Sequence, residues 1–182
     1  MNNTKYLILK IRTRGFKMEK HYSQDCTNTS IGVENKYIIP DSSFTASSAS
    51  SASYPFGLPF NGRLNASFGW APKTTTNPND YLQVDLGFPY VICAVTTQGR
   101  GNGEEWVTEY KVSLSMNDKN WMPYQENGID KIFTGNTDQN SYVKNSIIRT
   151  RARYIRLYPT KYNGYKVMRV GIFGFKKGII FF

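Results

Sequence analysis

The sequence is short of most of what catalysis uses. It holds one histidine, His21, and two cysteines, Cys26 and Cys93. A Ser-His-Asp or Cys-His relay would have no base within the body of the chain. Two distant cysteines and one remote histidine cannot make a zinc site. No Walker loop or dinucleotide fingerprint occurs: Gly99-Arg100-Gly101-Asn102-Gly103 lacks the spacing and the following helix. Adjacent or nearby carboxylates, Glu104 with Glu105 and Asp85 with Glu109, sit close to turns and read as solvated. No run of about 18 or more apolar residues is present, so no membrane-spanning helix is expected. The last 44 residues contain no acid at all. The inventory points to binding and not to turnover, with no catalytic residue and no metal site.

What is present is a chain of 182 residues, 40% apolar and 20% charged, enough for one packed domain with tails. The aromatic fraction of 15% leans towards strands. The net charge of +10 is unevenly spread. Residues 1–25 carry six basic and two acidic side chains, residues 26–138 seven and eleven, and residues 139–182 ten and none. Such a basic segment suits phosphate, sulfated glycan or anionic lipid. Its plainer reading is a solvated strand face of Arg149, Arg151 and Arg153 followed by a Lys176-Lys177 tail.

The leader Met1 to Gln24 does not read as a signal peptide, because Lys10 interrupts its short apolar run. Three acceptor sequons, at Asn2, Asn28 and Asn65, give weak support for secretion. Spacing does not decide whether Cys26 and Cys93 pair. The apolar surroundings of Cys93, Val91-Ile92-Cys93-Ala94-Val95, favour a buried free thiol.

Strand-like runs separated by turn residues recur through the second half. They are Tyr81 to Gly87, Tyr90 to Thr97, Tyr110 to Ser115, Lys131 to Phe133, Ala152 to Tyr158 and Val167 to Phe173. Pro159 is expected to end the fifth. Short strands without a helical period indicate an all-β sandwich or barrel. Ahead of them, seven of the twelve residues from Ser42 to Ser53 are serine. An apolar, proline-containing stretch follows, Tyr54-Pro55-Phe56-Gly57-Leu58-Pro59-Phe60. It is either a loop under the core or an exposed binding loop.

Further segments recur in a recognisable order. Among them are Phe44-Thr45-Ala46-Ser47-Ser48, Arg63-Leu64-Asn65, Gly69-Trp70-Ala71-Pro72-Lys73 and Tyr81-Leu82-Gln83-Val84-Asp85-Leu86-Gly87. Then come Glu105-Trp106-Val107, Asn117-Asp118-Lys119-Asn120-Trp121 and Ala152-Arg153-Tyr154-Ile155-Arg156-Leu157-Tyr158-Pro159. In this order they resemble the discoidin domain, also called the coagulation factor V/VIII type C domain. The resemblance implies a jelly-roll β-sandwich of galactose-binding-like type over residues 26–175, between a basic tail 1–25 and a short tail 176–182. It implies three spike loops at one end: Ala49 to Phe60, Asn65 to Trp70 and Gln98 to Glu105. Relatives are extracellular modules, so the expected setting is outside the cell or on its surface. Expected partners are an anionic membrane surface, a glycan or an extracellular protein such as collagen; no nucleic acid is expected.

On those spikes the candidate ligand-binding residues are Tyr54, Phe56, Leu58, Phe68, Arg100, Asn102 and Glu104. The first three would form an apolar tip. Arg100, among glycines, could bring its guanidinium up to a carboxylate, phosphate or sugar. The competing readings are Phe56 and Phe60 folded back as a lid, and Arg100 bound to Glu104 or Glu105. Trp70, Trp106 and Trp121 are assigned to the core. An alternative function is polyanion binding, such as heparin-like glycan, through the basic C-terminal segment.

Two departures from the family pattern are visible. Cys26 fits the opening cysteine, but Phe175 stands where the closing one is expected. Gly171 stands where relatives often carry an acid that helps hold a structural calcium, so no calcium site is predicted.

Overall fold

The computed structural model describes residues 26–50 and 56–176. Nine strands lie among the described residues: β1 Phe44–Ala46, β2 Leu82–Gln98, β3 Trp106–Ser115, β4 Met122–Pro123, β5 Gln125–Glu126, β6 Ile129–Asp130, β7 Phe133–Thr134, β8 Val143–Asn163 and β9 Arg169–Phe175. The ladder runs β1-β2-β8-β3-β4, with β7 added to β3 and β9 to β2, while β5 and β6 form a separate hairpin. All pairings are antiparallel.

Two long strands turn this ladder into a sandwich. The first half of β2 pairs with β1 and β8, through Phe44↔Val84 and Val84↔Ile155. Its second half pairs with β9 and β8, through Val95↔Ile172 and Val95↔Asn145. Between the halves lies a bulge at Gly87-Phe88-Pro89. Gly87 has φ +75° there, and its N–H donates to the Asp85 carboxylate at 2.8 Å. A bulge bends a strand and sharpens its twist, so β2 serves both layers. The two layers close over one cluster that includes Trp70, Leu82, Ile92, Tyr110, Ile155 and Ile172. Each such side chain contributes about 1.5–3 kcal/mol by leaving water. This is the expected jelly-roll β-sandwich.

Local boundaries differ from expectation for identifiable reasons. Two expected strands, Tyr81 to Gly87 and Tyr90 to Thr97, are one bulged strand, because β8 continues opposite both. β8 starts at Val143, nine residues before the run rich in aromatic and β-branched residues. Its first half alternates exposed polar side chains such as Lys144 with inward ones, and one solvated face hides a strand from apolar counting. Pro159 does not end β8: it faces Tyr110 at a register shift, where a missing N–H costs the ladder little. β9 begins at Arg169 and runs to Phe175.

Cys26 and Cys93 form a disulfide, Cα–Cα 5.7 Å, which corrects the free-thiol reading. Cys93 is the unpaired residue of a second bulge in β2, between Ile92 and Ala94. The 3-10 turn Cys26–Asn28 packs against β2 and β9. Gly174, next to Phe175, pairs with Ile92, next to Cys93. The domain start is thus tethered one strand across from the place where Phe175 replaces the family's closing cysteine. Of the three tryptophans only Trp70 is fully buried, with its indole N–H donating to Ser48 O at 2.9 Å. Trp106 and Trp121 are half-buried, and Trp121 lies outside the core under the Arg156 guanidinium at 3.8 Å.

Candidate functional site

Three strand ends meet at one end of the sandwich. Gln98 closes β2 opposite Arg169, which opens β9, and Thr97 pairs with Val143, which opens β8. From here spring the third spike, residues 98–105, and a further loop, residues 135–142. The Arg169 guanidinium is buried between them at 3% exposure. It donates to Gly99 O at 2.6 Å, Ala66 O at 2.7 Å, Gln139 O at 2.7 Å and Asn140 Oδ1 at 3.1 Å. One side chain therefore joins spike two, spike three and the 135–142 loop through a rigid fork of donors. Burial pushes its pKa below the usual arginine value, partly offset by Tyr142. Gln98 works in parallel, accepting from Asn65 N–H at 3.0 Å and donating to Asn140 O at 2.8 Å.

Spikes two and three are also in direct contact. Gly101 N–H donates to Phe68 O at 2.9 Å. A Cβ on Gly101 would meet Ser67 O at 2.6 Å, so only glycine allows this approach. Spike two turns at Asn65, which has φ +67° and accepts from the Tyr142 hydroxyl through Oδ1. Asp138 fixes the neighbouring loop: its carboxylate accepts the N–H groups of Asn140 and Ser141 at 2.7 and 2.6 Å. Hydrogen bonds from Ser141 and Asn140 hold its pKa below the ordinary value.

The base of spike one is pinned to the sheet. Ser47 and Ser48 hydroxyls donate to the buried Asp80 carboxylate at 3.0 and 3.1 Å, and Asp80 also faces the Lys166 ammonium at 3.5 Å. Ser50 N–H donates to Ala71 O at 2.8 Å, and Gly57 pairs with Trp70. Gly57 has φ +80°, and a Cβ there would meet Ser50 O at 2.7 Å.

Spikes one and three converge on Arg100. Its guanidinium lies 4.2 Å from the centre of the Phe56 ring. Nε donates to Asn102 Oδ1 at 3.0 Å, and Nη1 to both Glu105 oxygens at 3.0 and 3.1 Å. The Arg100 and Glu105 side chains are 25% and 28% exposed, so this ion pair is worth about 0–1 kcal/mol and serves to orient. Among the described residues Nη2 has no partner, which leaves one edge of the planar cation open. Phe56 is thus a half-buried platform under a cation, neither a bare tip nor a lid. Phe60 does pack against the core.

The structure brings Phe56, Phe68, Arg100 and Asn102 together at this end. Leu58 and Phe68 are half-buried and Asn102 is exposed. The Glu104 side chain is exposed, and its carbonyl accepts from Asn163 Nδ2 at 2.9 Å. Tyr54 lies outside the described residues. Arg169, Gln98 and the 135–142 loop were not legible as site residues. The one available signal was a charged residue inside the apolar run Val167-Met168-Arg169-Val170.

The residues at the family's calcium position do not fit that ion. A hard cation needs several oxygens, whereas Gly171 offers no carboxylate and a Cβ there would already meet Leu64 at 2.9 Å. Arg63, bridged to Val170 beside Gly171, donates to Val33 O and to Asp41 Oδ1, each at 2.7 Å.

Comparison with known proteins agrees with this geometry. The family profile described as F5/8 type C domain matches residues 43–172. Human contactin-associated protein 1 is 34% identical over 125 residues, 66% of this chain and 9% of that protein. The rat protein matches equally. The chain therefore spans about 9% of the length of these curated relatives. Among solved structures, discoidin II of Dictyostelium discoideum superposes with a TM-score of 0.65 at 24% identity, over 74% of this chain and 55% of that one. The Clostridium perfringens module CpGH89CBM32-5, solved in complex with GalNAc-beta-1,3-galactose, gives 0.56 at 20% identity, over 76% and 99%. At these identities the two structures speak for the fold.

Proposed function

The chain belongs to the F5/8 type C domain family and is a binding module, and we propose that its spike end recognises a cell-surface glycan outside the cell, through Arg100. The carrying observation is a guanidinium held over the Phe56 ring at 4.2 Å from its centre and clamped by Asn102 and Glu105, with its Nη2 edge uncommitted among the described residues. A preset planar donor beside a polar rim, Asn102 and Glu104, suits vicinal sugar hydroxyls or a sugar carboxylate. The complex of the Clostridium perfringens module with a galactose-containing disaccharide supports this ligand class. The Cys26–Cys93 bridge suits an oxidising, extracellular setting.

Anionic phospholipid is the less favoured ligand at this end. Phe56, Leu58 and Phe68 are all half-buried, so the described spike residues present no large exposed apolar tip. A glycan array probed with the full chain, then calorimetric titration of the sugars retained, tests the reading. Arg100→Ala should weaken binding about 10- to 100-fold, the range of a hydrogen bond to a charged group. Arg100→Lys should not restore it, since an ammonium cannot lie flat on Phe56. Unchanged titration by Arg100→Ala would overturn the assignment. So would selective co-sedimentation with phosphatidylserine vesicles that Phe56→Ala or Leu58→Ala abolishes.

A further inference from the structure

A second surface lies away from the spikes, on the half-sheet formed by Tyr90–Gln98 of β2, Val143–Ala152 of β8 and β9. These three segments contain Lys144, Arg149, Arg151 and Arg169 and no Asp or Glu. Arg169 is spent inside the spike hub. The other three are exposed along one strand, while Ile147 and Ala152 turn into the core. At a rise of about 3.3 Å per residue they span roughly 20 Å. Further along β8 the next two arginines are neutralised: Arg153 is bound by Asp85 at 2.7 Å, and Arg156 faces Asp118 at 3.7 Å. Among the described residues Arg149 and Arg151 have no such carboxylate.

The same side carries Phe175 and Val91, level with Arg151 in the ladder. Lys176 adds a further cation, 4.3 Å from the ring centre of Phe88. At the other end Lys144 is anchored to Thr27 O and Asn28 Oδ1, each at 3.1 Å, and sits 4.1 Å from the centre of the Phe173 ring. In the described N-terminal segment, Glu34 accepts from the Ser30 hydroxyl at 2.9 Å.

We propose that this acid-free face of β8, Lys144, Arg149 and Arg151 with Lys176 beside it, binds a linear sulfated polysaccharide independently of the spike site. The cations are strung along a strand on the flank of the sheet, which matches an extended polyanion. A bilayer is the competing occupant, because Phe88 is 62% exposed beside Lys176 and Ile148 is 69% exposed between Lys144 and Arg149, but these apolar side chains lie along strands β2 and β8 and not on one protruding loop. Binding of this kind gains by counterion release and falls steeply with salt.

The full chain on immobilised heparin, eluted with NaCl and titrated at several salt concentrations, tests the proposal. The wild type should be retained beyond physiological ionic strength. Arg149→Gln/Arg151→Gln should elute earlier, bind about five- to tenfold more weakly, and lose about two units of the log–log salt slope. Lys144→Gln should act in the same direction, and Arg100→Ala should elute with the wild type. Thermal melting checks that the exposed double variant is folded. If that variant elutes with the wild type, heparin is held by lysines and arginines elsewhere, and the proposal falls. It falls too if the wild type is not retained. It falls likewise if the double substitution abolishes binding to phosphatidylserine vesicles while heparin binding is absent.

Discussion

Replacing Arg169 with Met keeps the side-chain stem and removes the fork that binds three loops. The change deletes four hydrogen bonds and strands Gly99 O, Ala66 O and Gln139 O. An unsatisfied buried polar group costs about 1–3 kcal/mol. Three such carbonyls would cost up to about 9 kcal/mol if none relaxed, but loop carbonyls near the surface can turn towards water. Relief of about half leaves roughly 4 kcal/mol, a large share of a typical 5–15 kcal/mol. For a domain of this size about 1 kcal/mol shifts Tm by about 2–4 °C, so a fall of roughly 8–16 °C is expected. Scanning calorimetry under non-reducing conditions measures it. Amide exchange adds the local reading, because Gly101 N–H, donated to Phe68 O, should exchange faster once spikes two and three part. Arg169→Lys should recover only part of the loss, since an ammonium cannot reach all three carbonyls as a fork. A Tm within about 2 °C of wild type, with unaltered Gly101 protection, would refute the claim that Arg169 holds the spike end together.

Cys26→Ser/Cys93→Ser should lose about 4 kcal/mol, from loop-closure entropy over a separation of 67 residues, read as a lower denaturant midpoint with a larger m-value, because the unfolded chain without the crosslink exposes more surface. Gly101→Ala should weaken glycan binding with a small change in Tm, because its Cβ would push spike three off Ser67 O at 2.6 Å. Asp138 has a folded pKa below its unfolded one, so its contribution is present above the ordinary carboxylate pKa of about 4 and is lost as pH falls through the folded value. Acid titration of the wild type should therefore lose stability below about pH 4, and Asp138→Asn should reduce that dependence. Tyr110, whose hydroxyl burial holds above the usual phenol pKa and which Asn145 contacts at 3.1 Å, should show no phenolate absorbance until the domain unfolds in alkali.

The sequence alone determined the class of fold and the order of its strand-forming segments. Those properties are written locally: alternation of apolar and polar residues, turn residues between short runs, and aromatic framework segments in a fixed order. The family resemblance also placed Arg100 and Phe56 on spike loops, and the acids beside Arg100 left Glu104 or Glu105 as its partner, which the structure resolves as Glu105. Tertiary structure alone decided that Arg100 lies over the Phe56 ring, residues 44 positions apart in the chain. It decided as well that Cys26 reaches a bulge in β2 and that Arg169 is the hub of the spike end. Those outcomes depend on register and on two bulges, which bring distant residues within hydrogen-bonding reach. No local pattern encodes such distances, because each is set by where the whole ladder closes on its core.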